Sequence, residues 1–148
     1  MKNEKIKSMK LYNFIDRVYN ELKELGKENS EDLSTKELSS FDQLHYHGTD
    51  AIDYVIQKFQ INSNSKVLEI GSGIGGPSRY IAEKTGAQVI ALELQYDHHD
   101  IGEKLTKRCK LENNLEHICG DFLTYDFGDR NFDCIVSWLA LYHIPDRT

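Results

Sequence analysis

A short stretch of this sequence combines a carboxylate with closely spaced glycines and is well suited to bind a nucleotide. It reads VLEIGSGIGG and runs from Val67 to Gly76, with Glu69 two positions before the first glycine. Because glycine has no Cβ, backbone N–H groups in such a turn can approach a ligand closely. Pro77 suits the first turn of a helix. The stretch therefore predicts a strand, a glycine turn and a helix N-terminus that face a ligand.

Two classes of ligand fit these glycines. Gly71, Gly73 and Gly76 match the G-x-G-x-x-G pattern of dinucleotide-binding turns. The same turn, taken with Glu69, also matches E-x-G-x-G-x-G. A carboxylate beside the turn attracts positive charge, such as the sulfonium and ammonium groups of S-adenosylmethionine, and repels a pyrophosphate. Glu69 thus favours S-adenosylmethionine, and a nicotinamide dinucleotide is the alternative.

Two more acidic residues come at the ends of predicted strands. Glu93 lies near the end of the apolar segment Gln88–Leu94, and Asp121 follows the segment Leu115–Cys119. Ligands of open α/β sheets bind at the carboxyl ends of the strands, so both carboxylates are expected beside the glycine turn. An acid at Glu93 can accept hydrogen bonds from ribose hydroxyls, and Asp121 can accept from an adenine amino group while Phe122 packs beside the base. A nicotinamide dinucleotide site does not require an acidic residue at the position of Asp121, so Asp121 also favours S-adenosylmethionine.

His143 is the candidate for proton transfer. It follows a fourth predicted strand, Phe132–Trp138, in the segment that leaves the sheet at the same carboxyl edge. Histidine is the side chain that most readily exchanges a proton near neutral pH. His143 could therefore take a proton from an acceptor nucleophile or hold the acceptor. A packed or capping histidine is the equally weighted alternative.

The elements that position these residues predict an α/β fold. From Lys66 onward, four near-continuous apolar strands alternate with helices, which are expected at 77–85 and at about 97–112. This pattern predicts a Rossmann-like, doubly wound and mostly parallel sheet that is covered on both faces. A further helix is expected before the first strand, beginning after Thr49, with Ile52, Val55, Ile56 and Phe59 on its buried face.

The first forty residues predict a separate N-terminal region. Leu11, Ile15, Val18, Leu22 and Leu25 recur at helical spacing, which predicts a helix from about residue 4 to 25 that Gly26 ends. Residues 28–40 are polar and predict a linker. Residues 1–40 are therefore interpreted as a helix and linker, and residues 41–148 as the ligand-binding part of the chain.

Composition disfavours several other functions. The chain has 148 residues, a formal net charge of −6 and no long run of Lys and Arg, which disfavours nucleic-acid binding. It has no apolar run of membrane-spanning length, and residues 1–10 are too polar for a signal peptide, so a cytoplasmic protein is predicted. The 3 cysteines are widely spaced and predict reduced thiols. Two pairs of closely spaced histidines, His45/His47 and His98/His99, have no second cluster at ligand spacing, so no metal site is predicted.

Together these motifs resemble class I S-adenosylmethionine-dependent methyltransferases. The resemblance covers at least residues 41–146 and is carried by VLEIGSGIGG, VIALEL, CGDF and FDCIVSWLALYHIPD. The chain resembles in particular small-molecule N-methyltransferases, such as the phosphoethanolamine and sarcosine/dimethylglycine enzymes. The resemblance implies methyl transfer from S-adenosylmethionine to a small-molecule acceptor, expected to be an amine, with S-adenosylhomocysteine as the product.

The resemblance also implies roles for individual residues at the cofactor. The residues expected to contact the methionine moiety are Glu69, Gly71, Ser72, Gly73 and Gly75. Those expected to bind the ribose and the adenine are Glu93, Leu94, Asp121 and Phe122. Gln43 and Tyr46, with His45 and His47 between and beside them, are expected on a segment that closes over the cofactor.

His143 matches a histidine that the phosphoethanolamine enzymes place after the fourth strand. In those enzymes a tyrosine from the N-terminal region is its partner. Tyr12, Tyr19 and Tyr46 are the candidates here, and the sequence does not separate them.

The family's sheet has seven strands in the order 3-2-1-4-5-7-6, whereas only four are recognised here. Strand four, with Cys134, Ile135 and Val136, would then be an apolar edge that invites pairing. The chain is therefore expected to be the N-terminal part of a longer enzyme, or to have this edge covered by a second copy in a homo-oligomer. A part of an enzyme could also bind the cofactor without catalysis, which is the third functional hypothesis.

Overall fold

The computed structural model describes residues 15–29 and 32–144. Its helices are α1 (Ile15–Glu24), α2 (Thr35–Leu38), α3 (Gly48–Phe59), α4 (Gly76–Thr85) and α5 (Tyr96–Arg108), followed by a short 3₁₀ helix (Leu141–His143). Its strands are β1 (Lys66–Ile70), β2 (Gln88–Glu93), β3 (Leu115–Cys119) and β4 (Cys134–Val136). Among the described residues, no helix has both the length and the apolar character needed to cross a membrane.

The four strands form one parallel sheet in the order β3-β2-β1-β4. Val67 in β1 lies in register with Val89 in β2 and with Cys134 in β4. Parallel strands are joined by crossover connections that pack on the faces of the sheet, and the central strands β1 and β2 are buried on both sides over most of their length. The predicted fold class, a Rossmann-like parallel α/β sheet with N-terminal helices, is confirmed.

Alternate residues of the strands enter two separate hydrophobic cores. Val67 and Val89 pack with Ile52 of α3 and Ile81 of α4 on one face. Residues that point the other way pack with the aromatic side chains of the loop before β4; they are Leu68, Ile70, Leu92 and Ile118. This period-2 burial explains why the strands are apolar at nearly every position.

The segment predicted to be a polar linker contains a helix and part of the core. Ser34 accepts a hydrogen bond from the backbone of Glu37, whose side chain accepts from the Ser34 backbone in return, and this capping box starts α2. Leu33 and Leu38 beside it are buried. Of the predicted first helix, residues 4–14 lie outside the described residues, and α1 covers the rest.

Several predicted element boundaries differ from the structure; helix α5, for example, ends at Arg108 rather than near residue 112. Helix α3 begins at Gly48 after His47, which adopts a left-handed conformation (φ 65°), rather than after Thr49. Its last residue, Phe59, is 63% exposed because the helix ends there at the surface. The fourth strand is shorter than predicted, since the chain turns away after Val136 and Leu139 has a positive φ of 57°.

Strand β4 is an edge of the four-stranded sheet that the described residues form. Ile135 on this strand is 58% exposed. An exposed apolar edge strand is prone to pair with a further strand. That a later segment or a second copy covers it stays a prediction.

Candidate functional site

A cleft with an empty volume of about 1030 Å³ lies at the carboxyl ends of the strands. The predicted site residues that line it are Glu69, Gly71, Ser72, Gly73, Glu93, Leu94, Asp121, Phe122 and His143. The glycine turn after β1, the ends of β2 and β3, and the segment after β4 therefore meet there, as expected for ligand sites in open α/β sheets. Gly75 precedes α4 as its N-terminal cap and does not line the cleft.

Two glycines allow other segments to pack directly against the turn. A Cβ on Gly71, where φ is +70°, would lie 2.3 Å from the Cβ of Ala140 in the segment after β4. A Cβ on Gly76 would lie 2.2 Å from the backbone oxygen of Asp42. Both distances are far below van der Waals contact. The glycines therefore admit neighbouring chain segments as well as a ligand.

Glu69 is almost completely buried at the end of β1 and faces the cleft. The Ser78 hydroxyl donates a hydrogen bond to its carboxyl group. Burial raises the pKa of Glu69 to about 8, although the Ser78 hydrogen bond and the charge of Arg79 act in the opposite direction. This carboxyl group therefore keeps its proton at neutral pH, and a cation placed beside it would favour ionisation.

Glu93 connects the end of β2 to the glycine turn. Its Oε2 accepts a hydrogen bond from the Gly73 N–H at 2.8 Å, and its Oε1 accepts from the Gln95 N–H at 2.8 Å. A carboxylate offers about four lone-pair sites, so each oxygen can accept once more. Glu93 thus holds the turn in place and still has acceptors for two hydroxyl groups.

Asp121 starts a tight turn just after β3. Its Oδ1 accepts from the Leu123 N–H at 3.0 Å, and its backbone oxygen accepts from the N–H groups of Thr124 and Tyr125. Phe122 is 36% exposed and lines the cleft beside it. The turn therefore presents a carboxylate and an aromatic ring to the same space, as the sequence predicts.

His143 lies in the short 3₁₀ helix after β4 and lines the cleft. Its Nε2 is buried and has no hydrogen-bond partner among the described residues. The ring of Tyr142 is its aromatic neighbour, with centroids 3.9 Å apart. Of the tyrosines proposed as partners, Tyr19 and Tyr46 are exposed by 52% and 75%, and Tyr12 lies outside the described residues.

Several polar atoms in the cleft lining lack partners. Besides His143 Nε2, the buried atoms without a hydrogen-bond partner in the described part of the chain are Ser72 Oγ, Gln95 Oε1 and Trp138 Nε1. An unsatisfied buried polar group costs about 1–3 kcal/mol, so a polar ligand with donors and acceptors would stabilise this arrangement. Gln95, His98 and Trp138 also line the cleft and were not predicted, although Gln95 and His98 lie within five residues of the carboxyl end of β2.

A segment before α3 forms another wall of the cleft; residues Asp42–Tyr46 are called the cap segment below. Asp42, Leu44 and His45 line the cleft, whereas Gln43 and Tyr46 do not. The Gln43 side chain is instead hydrogen-bonded to Asp42 and His45, and Tyr46 points into solvent. The predicted closing segment therefore lies at the cleft, where His45 faces inward as expected, and Asp42 and Leu44 take the places expected for Gln43 and Tyr46.

A buried polar cluster lies behind the glycine turn and was not predicted from the sequence. Arg79 of α4 is 0% exposed and pairs with Asp42, with Nη2 3.0 Å from Oδ2. Its Nη1 donates to the Ile74 carbonyl oxygen at 2.7 Å. Nearby His117 is hydrogen-bonded to Thr106, and burial, with the charge of Arg79, lowers the pKa of His117 to about 3. His117 is thus neutral, and Asp42 balances the charge of Arg79.

Two curated proteins are similar in sequence to well over half of this chain. The sterol 24-C-methyltransferase of Debaryomyces hansenii is 33% identical over 92 residues, which cover 62% of this chain and 24% of the relative. The phosphoethanolamine N-methyltransferase of Plasmodium falciparum is 35% identical over 97 residues, which cover 66% of this chain and 35% of the relative. The chain thus spans about a quarter to a third of the length of these curated relatives.

A solved structure has the same fold. It is the S-adenosylmethionine-dependent methyltransferase from Thiobacillus denitrificans in complex with S-adenosyl-L-homocysteine. The TM-score is 0.60 at 17% identity, over 71% of this chain and 42% of that one. Finally, the model of the methyltransferase domain family matches residues 67–148, which is more than half of the chain. The chain therefore belongs to the methyltransferase domain family.

Proposed function

We propose that this chain forms the S-adenosylmethionine-binding part of an enzyme that transfers a methyl group to a small-molecule acceptor. Support comes from the family, from the shape of the cleft and from its polar groups. The named relatives act on a phosphoethanolamine nitrogen and on a sterol carbon. An amine is the acceptor class that we favour, for the reason given below for His143.

The observation that carries the proposal is the acidic composition of the cleft lining. Glu69, Glu93 and Asp121, from the ends of three neighbouring strands, line one cleft, and no Lys or Arg of the described residues lines it. Glu93 and Asp121 attract a cationic ligand and disfavour a pyrophosphate, and a cation placed beside Glu69 would favour its ionisation as well. This is why a sulfonium compound fits better than a nicotinamide dinucleotide, although the glycine turn alone is compatible with both.

The residues of the cleft fit the parts of S-adenosylmethionine. Glu69 and the turn from Gly71 to Gly73 would hold the methionine end, and the remaining acceptor sites of Glu93 would take the ribose hydroxyls. Asp121 and Phe122 would hold the adenine. When bound, the cofactor supplies a methyl group activated by its sulfonium. The main tasks of the protein are then to align the acceptor with that methyl group and to exclude water.

His143 is the residue that we assign to the acceptor. Its Nε2 is buried at the cleft without a partner in residues 15–29 and 32–144, so it can bind a hydrogen-bonding group of a ligand. An ammonium acceptor must lose a proton before its nitrogen can attack, and a neutral imidazole can take it. A carbon acceptor needs no such step before attack, and this difference favours an amine.

Binding of S-adenosylhomocysteine is expected to be saturable and at least about tenfold tighter than binding of NADH. The reason is that NADH would bring a pyrophosphate beside the carboxylates of Glu93 and Asp121, which repel it. Isothermal titration calorimetry of the 148-residue chain with both compounds measures this directly. Tighter binding of NADH would instead establish the oxidoreductase alternative.

His143→Ala is expected to lower methyl transfer about 100-fold and to change the Kd of S-adenosylhomocysteine less than about threefold. A base that acts on the acceptor affects turnover, whereas a packing residue affects both quantities. The assay is transfer of a labelled methyl group to phosphoethanolamine as the probe amine. His99→Ala, outside the cleft lining, is the control. Equal losses of turnover and affinity would make His143 structural, and cofactor binding without turnover in the unmodified chain would support a non-catalytic module.

A further inference from the structure

A series of side-chain contacts connects the buried cluster to the cap segment. Arg79 Nη2 donates to Asp42 Oδ2 at 3.0 Å, and the other carboxylate oxygen of Asp42 accepts from Gln43 Nε2 at 2.9 Å. Gln43 Oε1 then lies 3.1 Å from Nε2 of His45. Each contact is within hydrogen-bonding distance. These four residues are called the cap relay below.

The cap relay ends on an aromatic stack at the cleft. The His45 ring stacks on Trp138 with centroids 4.9 Å apart and an interplanar angle of 25°. The second ring nitrogen of His45, Nδ1, lies 3.0 Å from the Tyr46 carbonyl oxygen, so an acceptor oxygen faces each ring nitrogen, and the N–H of a neutral imidazole can be donated to either one. Both stacked residues line the cleft, and they come from the cap segment and from the segment after β4. The stack thus joins two walls of the same site.

We propose that Gln43 is a positioning residue that fixes His45 relative to the Arg79–Asp42 ion pair and thereby holds the cap segment against Trp138. The inference rests on the proposed function, because the cleft concerned is the one assigned to the cofactor. Gln43 does not line that cleft, so its effect on a ligand must pass through His45.

The chemistry of an amide suits this position. Its NH₂ group faces the Asp42 carboxylate, and its oxygen faces the His45 ring. A carboxylate at position 43 would instead repel Asp42, and an alanine would leave both neighbours without this contact. The ion pair itself is anchored on a fully buried arginine, so the relay starts from a rigid part of the fold.

Trp138 provides the measurement, because it is the single tryptophan of the sequence. Its fluorescence in the ligand-free protein therefore reports on the stack, and His45→Ala defines the signal of the unstacked ring. Gln43→Ala is expected to produce at least about half of the His45→Ala change in emission. It is also expected to weaken S-adenosylhomocysteine binding about fivefold, as for the loss of one hydrogen bond. Gln57→Ala, the same change at an exposed position of α3, is expected to alter neither quantity.

The outcomes separate this inference from the proposed function. The positioning role would be overturned if Gln43→Ala had the same emission and the same affinity for S-adenosylhomocysteine as Gln57→Ala. It would also be overturned if His45→Ala had the emission of the unmodified protein. If the unmodified protein failed to bind S-adenosylhomocysteine while Gln43→Ala still changed the emission, the cofactor assignment would fail and the positioning role would stand. Gln43→Glu is the second variant. It is expected to change the Trp138 emission at least as much as Gln43→Ala does, because its carboxylate would repel Asp42.

Discussion

Asp42→Ala is expected to lower the free energy of unfolding by about 3–5 kcal/mol, a large part of the total for a domain of this size. Arg79 would remain 0% exposed with its charge unbalanced. Its contacts with the carbonyl oxygens of Ile74 and Gly102 would partly solvate the guanidinium but not neutralise it. Urea denaturation followed by circular dichroism measures the loss.

Two further variants make this expectation specific. Asp53→Ala removes the exposed Lys84–Asp53 pair, whose side chains are 46% and 39% exposed, and should cost less than about 1 kcal/mol. The double variant Asp42→Ala/Arg79→Met should recover part of the loss, since it leaves no buried charge. If Asp42→Ala lowered the free energy of unfolding no more than Asp53→Ala does, burial of Arg79 would not depend on its ion pair with Asp42.

The strand, turn and helix around the glycines were predictable because local rules determine them. Val67–Ile70 is apolar at the core positions, glycines occupy the turn, and Pro77 suits the first helical turn. In a parallel sheet the carboxyl ends of all strands lie at one edge. Glu93 and Asp121, which come at the ends of two strands, are therefore expected at that edge. No long-range contact had to be known for these predictions.

The buried polar cluster was not predictable in the same way. Arginine is rarely fully buried, and the partner that makes its burial possible is 37 residues away in sequence. The same holds for the His45–Trp138 stack, which joins two segments that only the fold brings together. A local signal did exist for α2, because Ser34 and Glu37 have the spacing of a capping box.

The free energy of unfolding of the unmodified, ligand-free protein is expected to fall as the pH rises from about 4.5 to 8. Glu69→Gln is expected to abolish this fall. Burial raises the pKa of Glu69 from 4.5 to about 8. The unfolded chain therefore releases this proton near pH 4.5, whereas the folded protein keeps it, so folding becomes less favourable as the pH rises and the effect levels off above pH 8. Glutamine cannot ionise and can still accept from Ser78.

The unfolding free energies at pH 5 and pH 8 test this expectation. At pH 8 the variant should be more stable than the unmodified protein by on the order of a few kcal/mol, and at pH 5 the difference should be much smaller. Glu116→Gln, at a half-exposed carboxylate paired with Arg130, is the control and should follow the unmodified protein. Parallel curves for Glu69→Gln and the unmodified protein would show that Glu69 is ionised in the empty cleft.

The same carboxyl group should respond in the opposite direction to a cationic ligand. A positive charge beside Glu69 favours its ionised form, so binding of S-adenosylmethionine at pH 7 should release up to about one proton. Calorimetry in two buffers of different ionisation enthalpy detects that proton, and Glu69→Gln should abolish its release and weaken binding about tenfold. Binding heats that do not depend on the buffer would mean that Glu69 stays protonated in the complex. Ionisation of Glu69 is unfavourable without the ligand and favourable beside its positive charge. Glu69→Gln should therefore stabilise the ligand-free protein at high pH and weaken the complex with S-adenosylmethionine.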